Sequence, residues 1–230
     1  QHERARLFEI GSVFHGDLGS HDESIRVSGL VTGNRLPEQW GSKGSSVDFF
    51  DVKSDVESML RQTGRFNDFE FSAHDHNALQ TGQSAIIKSC GKICGYLGKL
   101  HPSHAKTFEI EKDTFLFELF SDVCFETSIP VGESVSKFPV IRRDLSLVVD
   151  EGLIVSDLVK FISDSVGSIL RETVVFDVYH GPGIEEGRKS IALGLILQEK
   201  SRTLIDTEAD KIIANVVSGV QKDFNAELRD

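Results

Sequence analysis

From residue 145 the chain alternates, with Leu145, Leu147 and Val149 on one face and Asp144, Ser146, Val148 and Asp150 on the other, which predicts a half-buried strand. The period then becomes helical: Val155, Leu158, Val159, Ile162, Val166 and Ile169 form a stripe, with Ser156 as the expected cap and Gly167 near its end. A second strand is predicted over 173–179 and a third over 190–198. The intervening HGPGIEEGRK, with three glycines and a proline, reads as a long turn. Ala209, Ile212, Ile213, Val216, Val217 and Val220 recur at three and four residues and predict a second helix. Asp206 or Thr207 is its expected cap, with Glu208 and Asp210 in its first turn. The tail 225–229 offers a last strand. The order β-α-β-β-α-β is the ferredoxin-like arrangement, whose two helices cover one sheet face and leave the other open.

Upstream, RLFEIGSVF and SIRVSGLVTGN predict two strands, followed by a turn over 35–45. Phe49, Val52, Val56, Met59 and Leu60 fall at roughly helical spacing. FEFSA, SAIIKSCGKICGYLGKL and TFLFELF suggest further strands, with Gly91 and Gly95 marking hairpin geometry. The sum is an antiparallel sheet with at least one packed helix, an α+β domain. The loop-like VGESVSKFP separates the two patterns, so the expected domains are 1–137 and 138–230.

The 230 residues suffice for one or two cores. The chain opens without a methionine, directly in a strand-like run, so a longer parent is expected. No apolar run approaches membrane-spanning length and no basic-then-apolar leader is visible, which predicts a cytoplasmic location. A formal net charge of -11 opposes indiscriminate attraction to phosphate backbones, so any nucleic-acid contact must come from a placed patch. Cys90, Cys94 and Cys124 have neither zinc-ribbon nor Cys-x-x-Cys spacing and read as structural. His74, His76, His101 and His104 lack a recognised ligand pattern with carboxylates. Gly82, Gly91, Gly95 and Gly98 lack both the phosphate-loop ending and the dinucleotide fingerprint. No metal site, phosphate loop or nucleophile elbow is therefore expected.

Candidate chemistry gathers in the C-terminal module. Asp177 and Tyr179 share a face of the second strand, and Asp144 stands beside Arg142 and Arg143 just before the first. Arginine forks suit phosphates, a tyrosine offers a stacking surface, and a carboxylate accepts from base amino or imino groups. The competing reading of the same cluster is a salt-bridged sheet edge. Arg188, Lys189 and Arg202 lie around the connections, either as further phosphate contacts or as solvated surface.

FPVIRRDLSLVVDE, FDVYHGPGIEEGRKSIALGLILQEKSRTLID and the closing NAELR resemble, in order, the C-terminal anticodon-binding domain of the bacterial phenylalanyl-tRNA synthetase beta subunit. The resemblance implies contact with the anticodon stem and loop of phenylalanine tRNA, and Arg142, Arg143, Asp144, Asp177, Tyr179, Arg188, Lys189 and Arg202 are the residues expected to make it. Ile205 stands where the family commonly has a capping threonine, which should shift capping to Asp206. RLFEIGSVF, VSGLVTGNRLPEQWG, VDFFDVKSDVE, LQTGQSAIIKSCGKICGYLGKLHP and TFLFELF are similar to the catalytic-like domain of the same subunit. That domain resembles a class II synthetase core that has lost its chemistry and braces the catalytic alpha subunit. Ser54 replaces a usual glycine, so a tight turn or helix start is expected to differ there, and His101-Pro102 matches a structural Leu-His-Pro turn.

The resemblance places the family's tRNA-binding, editing and helical domains upstream of this segment. It also implies ATP and magnesium in the parent alpha2-beta2 heterotetramer, with no catalytic residue, cofactor or metal ligand expected in this segment. The expected function is to hold the anticodon region of phenylalanine tRNA and support assembly with the alpha subunit. The alternatives are a purely structural, protein-binding piece and a residual adenylate-forming enzyme. The latter would require arginines and acidic residues on sheet strands that here read mainly apolar and small.

Overall fold

The computed structural model describes residues 4–17, 20–41, 43–129 and 136–229, and the chain divides into two compact units, Gln1–Val131 and Gly132–Asp230. In the first unit β1 (Arg4–Asp17), β2 (Ser20–Gly33), β3 (Phe69–Ala73), β4 (Leu79–Ser89), β5 (Lys92–Leu100) and β6 (Thr114–Phe120) form one antiparallel sheet in the order β1-β2-β6-β5-β4-β3. Alternation sends Val27, Val31, Leu97, Phe115, Phe117 and Leu119 to one face. There they bury against Val52, Val56 and Leu60 of α1 (Phe49–Arg61). The opposite face of β1, β2, β6 and β5 carries a cleft of about 570 Å³.

Local chemistry fixes the ends of these elements. Asp48 caps α1 reciprocally: its Oδ1 accepts from the Asp51 N–H at 2.9 Å, while Asp51 Oδ2 accepts from the Asp48 N–H at 3.0 Å. The helix start at Phe49 is therefore set five residues before Ser54, which sits inside α1 with its carbonyl accepting from the Ser58 hydroxyl at 2.7 Å. The local change expected at Ser54 does not arise, because this position is neither a turn nor a helix start. Gly91, with φ +77°, belongs to the β4–β5 turn, but Gly95 has another role. A Cβ at Gly95 would overlap the Glu118 carbonyl of β6, so glycine permits close strand approach there and not a hairpin turn. His101 precedes the short helix α2 (Pro102–Thr107), its Nδ1 accepting from the Ser103 N–H at 3.2 Å.

The two buried thiols belong to β5 and to the end of α3 (Ser121–Cys124): Cys124 Sγ donates to the Cys94 carbonyl at 3.0 Å, and burial pushes the Cys124 thiol up to about 12. Such a thiol is a packing group and a poor nucleophile at neutral pH. Cys90 is exposed.

In the second unit β7 (Ile141–Asp150), α4 (Val155–Val166), β8 (Leu170–Tyr179), β9 (Arg188–Leu197), α5 (Asp206–Phe224) and β10 (Glu227–Leu228) follow the ferredoxin-like order. The antiparallel sheet runs β10-β7-β9-β8. Leu145, Leu147 and Val149 of β7 and Ile191, Leu193 and Leu195 of β9 bury against Leu158, Ile162, Val216 and Val220 of the helices. Each such side chain contributes about 1.5–3 kcal/mol on burial.

The caps differ from the sequence expectation. Ser156 lies within the first turn of α4, which Ile154 precedes without a side-chain cap, and the helix stops at Val166 before Gly167 at φ +67°. Asp206 is the first residue of α5 and does not cap it. Ile205 stands at the N-cap with a side chain that has no acceptor, so only half of a capping box forms. The Glu208 Oε2 accepts from the Ile205 N–H at 3.3 Å. Arg202 Nη1 and Nη2 hold Glu208 at 2.7 and 2.8 Å. The Arg202 hydrogen bonds, then that of the Ile205 amide, hold the Glu208 carboxyl below its ordinary range.

Candidate nucleic-acid interface

Both helices lie on one side of the C-terminal sheet, so the opposite face is formed by the alternate residues of its strands. Register builds it directly. Asp144 pairs with Gly194, Ser146 with Ala192 and Val148 with Ser190, while Val174, Asp177 and Tyr179 of β8 oppose Gly194, Ala192 and Ser190. The centre is thus floored by small side chains, with the Ser146 and Ser190 hydroxyls 3.1 Å apart. Larger groups stand at its two ends.

At one end Arg142 Nε donates to Asp144 Oδ1 at 2.7 Å, and the guanidinium lies 5.5 Å from the Phe176 ring centroid. The arginine and the carboxylate fold across Gly194. A Cβ there would come within 3.0 Å of Arg142 Nε and Asp144 Oδ1. At the other end the Arg229 guanidinium lies 5.0 Å from the Tyr179 ring centroid, and the Tyr179 hydroxyl donates to the Pro182 carbonyl at 3.3 Å. Arg229 reaches this face because its N–H donates to the Ser146 carbonyl at 2.9 Å, extending the β10 edge. Asp177 is exposed and makes no ion pair among the described residues.

Phe176 and Asp177 emerge together because β8 is bulged. Val175 opposes Leu193 and Asp177 opposes the next residue, Ala192, so Phe176 is the extra residue. Strict alternation would send one of two adjacent residues inward, which is why the sequence pattern identified Asp177 and Tyr179 but missed Phe176. Arg229 was missed because a two-residue strand leaves almost no periodic signal.

Five sequence candidates therefore stand on this face by register: Arg142, Asp144, Asp177, Tyr179 and, two places beyond Ser190 and opposite Asp150, Arg188, whose guanidinium is nonetheless taken up by β10. Asp144 lies within β7 and not before it. Arg143, Lys189 and Arg202 are placed elsewhere. Arg143 pairs with Leu195 in the ladder, on the helix side, where Nη2 meets Asp206 at 2.6 Å and Nε meets Asp210 at 3.0 Å. Lys189 donates to the carbonyls of Glu151 and Leu153 at 2.7 and 2.8 Å, tying down the turn after β7. Arg188 binds the Glu227 carboxylate and donates to the carbonyls of Val148 and Asn225, clamping β10 to the sheet. Arg202 is held by Glu208 at the start of α5. These four cations have intramolecular duties, whereas the Arg142 and Arg229 guanidiniums lie over aromatic rings of the open face.

Comparison with known proteins agrees with both halves of this architecture. Residues 1–121, more than half of the chain, match the family model described as the phenylalanyl tRNA synthetase beta chain CLM domain. The chain belongs to the phenylalanyl-tRNA synthetase beta chain family. Residues 136–229 match the ferredoxin-fold anticodon binding domain, the half that carries the open face. Beta subunits of phenylalanine–tRNA ligase are similar along the whole chain: 43% identity over 229 residues in Pseudomonas putida, 42% over 230 in Methylococcus capsulatus and 40% over 230 in Coxiella burnetii. The chain spans 29% of the length of each of these relatives. Family membership thus assigns the C-terminal unit to the anticodon-binding domains, with the ferredoxin-like topology expected of it.

Proposed function

We propose that this chain serves a phenylalanine–tRNA ligase as a non-catalytic piece, holding the anticodon region of phenylalanine tRNA and supporting assembly with the catalytic alpha subunit in an alpha2-beta2 cytoplasmic enzyme. The observation that carries the RNA-binding role is the uncovered sheet face, where Arg142, Asp144, Phe176, Asp177, Tyr179 and Arg229 surround a floor of Gly194, Ala192 and the paired serines. A base laid on that floor meets no bulky side chain. Tyr179 supplies a stacking surface, Asp177 accepts from a base edge, and Arg142 and Arg229 face phosphates at either end. Arg143, Arg188, Lys189 and Arg202 serve this face indirectly, by holding α5, β10 and the β7 turn in place.

Anchoring a tRNA at its anticodon contributes to acylation by alignment, without supplying a reacting group. The N-terminal unit is an antiparallel sheet with a cleft on one face, and the lining of that cleft supports the non-catalytic reading. The carboxylates of Glu9 and Glu118 line that cleft among leucines, and they would repel a triphosphate. ATP and magnesium therefore belong, in this reading, to the parent enzyme's alpha subunit. A purely protein-binding role for both units is the competing reading, and the exposed polar character of the C-terminal face argues against it.

The test is a titration of the chain with phenylalanine tRNA and with a noncognate tRNA at several salt concentrations. Preferential binding of phenylalanine tRNA is expected, and Tyr179→Ala should weaken it by about 1–3 kcal/mol. Folded protein that binds neither RNA would remove the anticodon role. Equal, salt-sensitive binding of both would reduce it to backbone attraction.

A further inference from the structure

The uncovered face of the N-terminal sheet is organised in two rows that the anticodon-holding role does not use. Pairing places Glu9 opposite Ser28, Ser28 opposite Glu118, and Glu118 opposite Tyr96, one polar row across β1, β2, β6 and β5. One step along the same face Leu7 opposes Leu30, Leu30 opposes Leu116, and Leu116 opposes Gly98. Together they floor the cleft of about 570 Å³, which the segment bearing His76, Ala78 and Leu79 walls at the Tyr96 side. That volume is in the range of small-molecule sites. At its far end the backbone of Gln83 and Ser84 closes over Gly98, where a Cβ would fall 2.6 Å from the Gln83 carbonyl, and the His76 and Tyr96 rings, 4.7 Å apart, give the row an aromatic wall.

Among the described residues, the lining of this cleft includes two carboxylates and no lysine or arginine. Glu9 makes no ion pair among the described residues, and Glu118 meets Arg26 at 3.7 Å while that guanidinium lies 3.9 Å over the Phe120 ring. Neighbouring strands stand about 4.8 Å apart, so the two carboxylates arise about 10 Å from one another with the Ser28 hydroxyl between them. A cationic group above Ser28 faces a carboxylate on each side and an acceptor beneath. The apolar body attached to it then lies along the leucine row toward Tyr96, whose ring offers it an aromatic partner while the ammonium keeps its charge pairing.

We propose that this cleft is a binding site for a small organic amine: a primary ammonium group carried on an aromatic or branched aliphatic body. Anions are disfavoured by both carboxylates. A zwitterionic amino acid brings its own carboxylate against them and loses what its ammonium gains. The site thus separates an amine from the corresponding α-amino acid, the reverse of what an amino-acid-activating pocket must do.

The probe is 2-phenylethylamine, titrated into the chain by calorimetry and followed by amide shifts. Its neutral isostere 2-phenylethanol and phenylalanine are run alongside. Saturable one-to-one binding of the amine is expected, with shifts at Ser28, Leu30, Tyr96 and Leu116. Loss of one charge-assisted contact in Glu118→Gln should weaken it about tenfold, and the alcohol and the amino acid should bind at least about tenfold more weakly. Glu9→Gln removes a carboxylate that has no ion pair to lose, so its expected weakening cannot be ascribed to a broken fold. Equal affinity for alcohol and amine, unchanged affinity in both variants, shifts confined to other strands, or no saturable binding would each overturn the assignment. Because tRNA binding is read at the other unit, failure here leaves the anticodon reading standing.

Discussion

Arg142 and Arg143 are adjacent and chemically identical, yet the strand sends them to opposite faces and so to different work. Arg143 bridges Asp206 and Asp210 on α5, whereas Arg142 lies half-exposed with Asp144 across Gly194. An exposed pair like Arg142–Asp144 contributes little to stability, so Arg142→Ala should change unfolding free energy by less than about 1 kcal/mol. The same substitution should lower the salt slope of tRNA binding by about 0.7–1 if its guanidinium neutralises one phosphate. Thermal melts and a salt titration separate the two effects, and Arg143→Ala should show the opposite bias, toward stability. Sequence period gave the faces of Asp177 and Tyr179 correctly because they are two apart on one strand. It could not assign the arginine and lysine side chains, because their long stems leave the partner to tertiary neighbours such as Asp206, Glu208 and the Glu151 carbonyl. Phe176 was hidden for a different reason, a one-residue break in the alternation itself.

At the scale of elements, the start of α5 shows how a missing cap is replaced. With isoleucine at the N-cap, Glu208 accepts from the backbone three residues earlier and is itself fixed by both Arg202 nitrogens. The folded state therefore favours the Glu208 carboxylate, whose pKa falls below the ordinary 4.5. A lowered value means the unfolded chain takes up the proton first. This contribution is full above pH 4.5 and is lost as pH falls below it through the folded value. Glu208→Gln should flatten the acid side of the C-terminal unit's stability curve, measured by denaturant midpoints between neutral and acid pH. Helices and strands with strong periods, α1, α4, α5, β7 and β9, were legible in the sequence. Their caps were not, since Ser156 and Asp206 looked like good caps by residue type while the chain starts each helix elsewhere.

Across the whole molecule, each unit buries its own residues: one core beneath α1, and a second beneath α4 and α5 with a small cluster of Leu197, Leu204 and Ala209 beside it. Leu195 is fully buried in the second. Leu195→Ala should cost about 2–5 kcal/mol there, and calorimetry or two-probe denaturation should show one transition moving while the other stays. A single shifted transition for the whole chain would mean that the units unfold together. The net charge of -11 also gains a structural meaning. Four of the eight sequence candidates for RNA contact, all cations, are tied within the fold, so the open face relies on few charges and on shape.

The bulge in β8 leaves Phe176 outside the pairing count: Val175 and Asp177 already oppose consecutive residues of β9. Loss of that one codon would close the ladder without shifting Asp177 or Tyr179 from their partners. The face can therefore gain or shed an aromatic ring by insertion or deletion, a route of descent that substitution alone does not offer, while its remaining contacts keep their places.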